Sequence, residues 1–218
     1  MSFAALLEAP EAVSVSKLEA RIDSLISEFF SSIPKPAGLS PEQRRGILAR
    51  YTAVLEGNFI YWMTGALLAC RSEETREIIL HNLHEEVRDS HPDMMRRFAV
   101  AAGAVPNDAD ASAVYANLTA VRAFVGRMSP VRLVLMMGYF EKLIQQWMPY
   151  MAELAGLQGS SEREYTDVHG VCDVEHSQEL FRAVRAEIAL APADVDAEVF
   201  EGVELLHKLN YNVIRGAA

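Results

Sequence analysis

Apolar residues recur at helical spacing through most of this sequence, and no segment alternates apolar and polar residues as a β-strand does. In the first such segment Leu18, Ile22 and Ile26 recur every fourth position, which places them on one face of an α-helix. A half-buried strand would show a two-residue period bounded by turn-forming residues, and the sequence contains no sustained example. The sequence therefore predicts an all-α protein, a bundle of about seven or eight helices.

Proline, glycine and capping residues divide the chain into these helices. Ser40 followed by Pro41 is a typical helix start, and Gly156 marks the end of a long apolar helix that begins at Val131. The predicted helices cover residues 14–32, 41–70, 72 to a break at 89–92, 94–103, 111–128, 131–155, 161–190 and 194–214. We expect a single domain over residues 1–218, in which residues 1–12 form a flexible arm.

Composition limits the kind of partner. The 218 residues carry a formal net charge of -10 and no block of Lys or Arg, whereas nucleic acids and anionic membranes attract concentrated positive charge. Residues 1–18 lack the features of a secretion signal, and the most apolar run, residues 131–140, is shorter than the roughly 20 residues of a membrane span. Cys70 and Cys172 have no framework spacing, so we expect a cytoplasmic protein with free thiols.

Two histidines and an aspartate recur at helical spacing in the last third of the chain. His169, Asp173 and His176 are separated by four and three residues, so on a helix they lie within an arc of about 60°. Two imidazoles and a carboxylate on one helix face can bind a divalent metal ion. A polar helix face with two unrelated histidines is the alternative interpretation.

A further carboxylate lies in the most apolar helix. Glu141 directly follows the apolar run of residues 131–140, and Gly138 leaves room beside it one turn earlier. A carboxylate among apolar side chains is ionised and paired, binds a metal ion, or lies on the wet side of its helix. Lys142 is adjacent but on a different face, so Glu141 and Lys142 could equally mark the solvent-exposed edge of a core helix.

A third group combines Glu86 with His91. These residues are five apart, about 140° on an unbroken helix, and would not share a face. The sequence at residues 89–92 predicts a break where a new helix starts, and such a bend can direct both side chains at one point. Two alternatives remain: a solvated, capped helix end, and the pairing of His84 with His91 that simple periodicity favours.

Together these positions supply three carboxylates and three imidazoles. Such a mixed set of oxygen and nitrogen donors suits two iron or manganese ions better than one structural zinc ion, which prefers four closed ligands and often thiolates. The candidate ligands are Glu86, His91, Glu141, His169, Asp173 and His176.

These residues resemble those of the haem-oxygenase-like diiron oxidases, which have the helical fold of haem oxygenase without its haem. The resemblance covers about residues 39–190. It is carried by segment 82–86 with His91, by segment 139–141, and most specifically by segment 169–176. In that family the corresponding positions bind two irons, which implies that the six candidate ligands are iron ligands here.

The resemblance also implies the cofactors: two ferrous ions, Fe(II), that bind dioxygen (O2). An external reductant can take part in the reaction. Members of the family oxidise small amines, amino acids and fatty acids by N-oxygenation, oxidative C–C cleavage or desaturation, often in natural-product biosynthesis. We expect an amine or amino-acid substrate. Only four residues link the glutamate pair to His91, fewer than is usual in the family, so the resemblance leaves either Glu85 or Glu86 as the ligand.

A stripe of polar and aromatic residues could line the substrate pocket. Tyr51, Asn58 and Trp62 share one face of the predicted helix 41–70, and Tyr51 is close to a position that the family fills with Tyr. Stripes of this kind are more often part of the core, which is the alternative interpretation. The predicted pocket residues are Tyr51, Asn58, Trp62, Met137 and Gln145.

The predicted function is therefore that of a non-haem diiron oxidase or oxygenase with a small-molecule substrate. A homodimer is possible. The alternative is a metal-free protein of the same fold. Thiamin-degrading and quinone-cofactor enzymes are of this kind, and a helical module that binds a small molecule or a partner protein would be another.

Overall fold

A computed structural model describes residues 15–216, and α-helices dominate this part of the chain. The helices are α1 (Val15–Ser32), α2 (Pro41–Leu55), α3 (Asn58–Ala69), α4 (Glu73–Arg88), α5 (His91–Ala101), α6 (Asp108–Val125), α7 (Pro130–Leu157), α8 (Glu164–Leu190) and α9 (Glu201–Arg215). Two short 3-10 helices accompany them, and no strand occurs within residues 15–216. The prediction of an all-α bundle is confirmed, whereas the predicted arm, residues 1–12, lies outside the described residues.

Local sequence signals explain where several helices begin. Ser40 accepts a hydrogen bond from the backbone N–H of Gln43, and the Gln43 side chain accepts one from the backbone N–H of Ser40. This reciprocal cap, with Pro41 in the first turn, starts α2 where the sequence predicts it. The predicted break near residue 90 is also present: α4 ends at Arg88, α5 begins at His91, and Ser90 between them has a φ of 57°.

Two predicted helices differ in the structure. The segment predicted as one helix from residue 41 to residue 70 is α2 and α3, separated at Gly57, whose φ of 72° interrupts the helix. The last helix begins at Glu201 instead of residue 194. The segment before it is irregular, and there Arg132 binds Asp196 (2.7 Å) and Glu198 (3.0 Å). The break at Gly57 is the reason that the described residues hold more α-helices than the predicted seven or eight.

The helix α7 is the centre of the bundle. Residues 133–137 of this helix have 0% exposure, so neighbours surround it on every side. Its most extensive neighbour is α8, which runs antiparallel to it: Gly138 lies against Phe181, and Met148 lies against Gly170. The helices α4 and α5 pack on α8, while α2, α3 and α9 pack on α7. None of the described helices combines the length and the apolar character needed to cross a membrane.

Candidate metal centre

Carboxylates and imidazoles from four helices meet inside the bundle. Each of the six candidate ligands is at most 6% exposed, so none of them lies on a solvated helix face. The contributing residues are Glu86 from α4, His91 from α5, Glu141 from α7, and His169, Asp173 and His176 from α8. Burial of so many ionisable groups is destabilising unless they are paired or bind metal ions.

The first group consists of Glu86, His91 and His169, each of which offers a donor atom within 4.8 Å of the others. Glu86 Oε1 lies 2.7 Å from His91 Nδ1 and 3.9 Å from His169 Nε2, and the two imidazole rings are 4.6 Å apart. The bend at Ser90 makes this meeting possible, because it turns the start of α5 back towards the last turn of α4.

The His169 ring is held in one orientation by its own helix. Its Nδ1–H donates a hydrogen bond of 2.8 Å to the backbone carbonyl of Tyr165, which leaves the Nε2 lone pair facing Glu86. Burial lowers the pKa of His169 to about 4, so the ring is neutral at physiological pH, as a metal ligand must be. Burial also lowers the pKa of His91, but its hydrogen bond with Glu86 and that carboxylate's charge together raise it overall.

The second group consists of Glu141, Asp173 and His176. His176 Nδ1 lies 3.8 Å from Asp173 Oδ1 and 4.0 Å from Glu141 Oε2, and the two carboxyl groups share a hydrogen bond. Asp173 Oδ2 and His176 Nδ1 have no hydrogen-bond partner among the described residues. Asp173 and His176 thus lie together with Glu141, whereas His169, on the same helix, belongs to the first group.

Burial controls the protonation of the two carboxyl groups. It raises the pKa of Glu141 well above the ordinary 4.5, and the charges of Asp173 and Glu86 raise it further. Burial also raises the pKa of Asp173 above its ordinary value. Two carboxyl groups in contact inside a protein need either a shared proton or a cation, so this pair is suited to a divalent ion.

Glu85 lies on the outer side of His176. Its Oε2 accepts a hydrogen bond of 2.8 Å from His176 Nε2, which leaves Nδ1 of that ring directed at Glu141 and Asp173. A carboxylate on the far nitrogen of a ligating histidine fixes the tautomer and the ring orientation. Of the two glutamates left open by the sequence, Glu86 lies in the group of donor atoms, and Glu85 lies behind His176.

A cavity of about 40 Å³ that opens to the surface reaches the cluster from the side of α2, α3 and α5. Five of the six candidate ligands line it, and His176 lies behind them. The rest of the wall is mainly apolar and includes Leu55, Phe59, Ile60, Met95, Phe140 and Ile144. No Lys or Arg is among the described residues that line this cavity.

The five predicted pocket residues lie elsewhere, and none is among the residues that line this cavity. Tyr51 is buried behind Tyr165, Asn58 accepts a hydrogen bond from Arg122 Nε (2.6 Å), and Trp62 packs edge-on against Phe140. Met137 is fully buried in α7, and Gln145 borders a separate surface groove. The interpretation of the stripe as core agrees with these positions better than the pocket interpretation does.

Tyr165 is a residue of the site that the sequence analysis did not identify. It lines the cavity, its ring lies 4.3 Å from that of His169, and its hydroxyl lies 2.7 Å from that of Tyr51. Its position one turn before His169 on the same helix face was the available signal. Cys172 was not predicted as a ligand either, yet its Sγ lies 3.4 Å from Asp173 Oδ1, and Cys172, Asp173 and His176 offer donor atoms within 4.8 Å of one another. Burial raises the pKa of this thiol.

The interior of this helical bundle holds three carboxylates and three imidazoles, and mixed oxygen and nitrogen donors of this kind suit iron. A family model for haem-oxygenase-like proteins, described as "iron-containing redox enzyme", matches residues 48–211. The chain belongs to this family of iron-containing redox enzymes, and the matched segment contains all six candidate ligands. None of the curated proteins with which the chain was compared matches it.

Proposed function

We propose that this protein is a non-haem diiron oxidase that uses dioxygen to oxidise a small molecule. One Fe(II) ion is held by Glu86, His91 and His169, and the other by Glu141, Asp173 and His176. The observation that carries the proposal is a set of buried oxygen and nitrogen donors, five of which line one cavity. Glu86, His91 and His169 offer donor atoms within 4.8 Å of one another. His176 Nδ1 lies 3.8 Å from Asp173 Oδ1 and 4.0 Å from Glu141 Oε2. Three protein ligands per ion leave coordination positions open for dioxygen and substrate.

The free donor atoms support this assignment. The only nitrogen of His169 without a backbone partner is Nε2, and the unpartnered nitrogen of His176 is Nδ1. Asp173 Oδ2 is likewise unpartnered. A divalent ion at each group would bind these atoms and replace the proton that Glu141 and Asp173 share, so loading with iron is expected to release protons.

The chain supplies the surroundings in which such ions act. Bound ferrous ions would supply the electrons that reduce dioxygen, and an external reductant restores them where the reaction requires it. Phe140 and Ile144 beside the ligands, with Met95 opposite, keep the cavity apolar and limit the access of water. The carbonyl of Tyr165 and the carboxylate of Glu85 hold the two histidine rings in orientations that leave one lone pair each for a metal ion.

The cavity wall favours a small amine with an apolar body as the substrate. An amino acid would also present a carboxylate, and no Lys or Arg among the described lining residues is available to bind it. A neutral amine can approach the ions with its nitrogen while its carbon skeleton contacts Phe59 and Ile60. N-oxygenation or oxidative C–C cleavage, and a place in natural-product biosynthesis, remain predictions of the sequence analysis.

The alternative of a metal-free protein is disfavoured. The family consists of iron-containing enzymes, and a metal-free small-molecule site would gain nothing from burying Glu141 beside Asp173. We therefore retain the diiron oxidase as the single proposal.

Anaerobic loading with ferrous iron, followed by exposure to oxygen, tests the proposal. We expect about two irons per chain, consumption of dioxygen and a transient visible absorbance after mixing. The matched variants are His176→Ala, which removes a proposed ligand, and His84→Ala, which removes an exposed histidine from α4. The first variant should lose one iron and the absorbance, and the second should behave as the parent protein. Iron uptake well below one per chain in the parent contradicts the proposal.

A further inference from the structure

Asn82 on α4 is a buried polar residue whose side-chain amide makes no hydrogen bond within the described residues. It is 1% exposed, and neither Nδ2 nor Oδ1 has a hydrogen-bond partner among the residues that the structure describes. A buried amide that makes no hydrogen bond is destabilising, and an apolar residue of similar shape would serve a purely structural contact better. Asn82 therefore needs a partner other than the polar groups of the folded chain.

The position of Asn82 places it beside the metal centre. In the antiparallel contact between α4 and α8, Thr75 donates a hydrogen bond of 3.1 Å to the carbonyl of Ala183. Further along the same contact, Glu85 accepts the hydrogen bond of His176. Because Asn82 lies between Thr75 and Glu85 on α4 and is buried, it lies in this interhelical contact at the level of His176.

Two further unpartnered atoms belong to α8. They are Oδ2 of Asp173 and Nδ1 of His176, both of which belong to the second metal-binding group. Asn82 lies four residues before Glu86, about one helical turn, so both side chains lie on the same side of α4. The unpartnered amide therefore lies on the side of α4 that carries Glu86, at the level of His176 on α8.

We propose that Asn82 is a positioning residue of the metal centre. Its Oδ1 accepts a hydrogen bond from a water molecule bound to the ion that Glu141, Asp173 and His176 hold. This inference rests on the proposed function. A water that coordinates a metal ion directs its lone pair at the ion and can only donate hydrogen bonds, so an amide oxygen is the matching group. An amide, unlike a carboxylate, accepts this bond without adding negative charge to a site that already contains three carboxylates.

Cobalt(II) is a suitable probe, because its visible absorption reports the number and arrangement of its ligands. The variants are Asn82→Leu and Asn82→Ala, which remove the acceptor, and Asn82→Asp, which retains an oxygen acceptor. We expect the first two to bind the second cobalt ion about ten-fold more weakly, with an altered visible spectrum. Metal-free Asn82→Leu should be at least as stable as the parent protein, because it removes an unpartnered amide. Asn82→Asp should keep the parent spectrum.

Asn210 provides the matched control. It is also buried with an unpartnered Nδ2, but it lies on α9 and not in the contact between α4 and α8. Asn210→Leu should leave the cobalt spectrum and affinity unchanged. If Asn82→Leu and Asn82→Ala bind cobalt with the parent affinity and spectrum, the positioning role is overturned while the diiron proposal stands. If the parent protein binds neither cobalt nor iron, the proposed function itself fails.

Discussion

Glu85 Oε2 lies 2.8 Å from Nε2 of His176, and this contact directs the opposite nitrogen of the ring into the protein interior. Nδ1 of the same ring has no other partner among the described residues and faces Asp173 and Glu141. The carboxylate of Glu85 is partly exposed, whereas the carboxyl groups of Glu141 and Asp173 are buried. The pair therefore connects the solvent-facing side of α4 with the second group of candidate ligands.

Loss of the Glu85 carboxylate should weaken one metal site and spare the other. In Glu85→Ala we expect the affinity of the second iron to fall about ten- to a hundred-fold, because His176 loses the hydrogen bond that fixes its tautomer. Anaerobic iron titration measures both affinities. Glu77→Ala, an exposed glutamate on the same helix, is the control and should leave both unchanged. Equal affinities in Glu85→Ala and the parent would show that this hydrogen bond does not orient a ligand.

The contribution of Glu141 to the stability of the metal-free protein should decrease as the pH rises. Because burial raises the pKa of Glu141, the folded state keeps a proton that the unfolded chain has already released. The stabilisation from this group is complete below its ordinary pKa of 4.5 and is lost as the pH rises through the raised value. Urea unfolding between about pH 5 and pH 9 measures the decline, which amounts to about 1.4 kcal/mol for each unit of pKa shift.

The variant Glu141→Gln isolates the contribution of this carboxyl group. Its amide does not titrate, so the decrease in stability with pH should become much shallower in the metal-free protein. Glu175→Gln removes an exposed carboxylate near Asp173 and should retain the full decrease. A decrease that persists unchanged in Glu141→Gln would mean that another group is responsible.

A bulky residue at the cavity mouth should block substrate without removing iron. Ile60 is partly exposed and lines the cavity, so Ile60→Trp should lower substrate-dependent oxygen consumption at least about ten-fold in a panel of small amines while iron uptake stays at the parent value. The control is Leu68→Trp, since Leu68 is 69% exposed on the same helix. Unchanged oxygen consumption in Ile60→Trp would place the substrate outside this cavity.

The hydroxyl groups of Tyr51 and Tyr165 should prove mutually dependent. Tyr51→Phe leaves the Tyr165 hydroxyl buried without its 2.7 Å partner, for which we expect a loss of about 1–3 kcal/mol in the free energy of unfolding. The double variant with Tyr165→Phe should lose much less than the two single variants added together. Urea unfolding of the four proteins measures the coupling, and strictly additive losses would argue against it.

The fold could be predicted from the sequence wherever a local signal decided it. The cap formed by Ser40 and Gln43 and the restart at Ser90 are set by a few neighbouring residues. The break at Gly57 was missed because the stripe from Tyr51 to Trp62 keeps helical spacing across it. That break ends the common face of Tyr51, Asn58 and Trp62, the three predicted pocket residues that lie on α2 and α3.

The candidate site, too, could be predicted from the sequence only in part. The spacing of His169 and His176 fixes their common helix face, so their proximity follows from the sequence. The roles of Glu85 and Glu86 depend on the rotation of α4 against α8, which is a tertiary property that spacing along one helix does not contain. The place of Tyr165 in the cavity wall is also a tertiary property, since the rest of that wall includes residues of α5.

Anomalous diffraction at the iron absorption edge, from crystals grown anaerobically with ferrous iron, tests the two-group arrangement most directly. The account predicts two iron peaks in each chain, one among Glu86, His91 and His169 and the other among Glu141, Asp173 and His176. A map without iron at these residues, or with iron bound elsewhere in the chain, would contradict it.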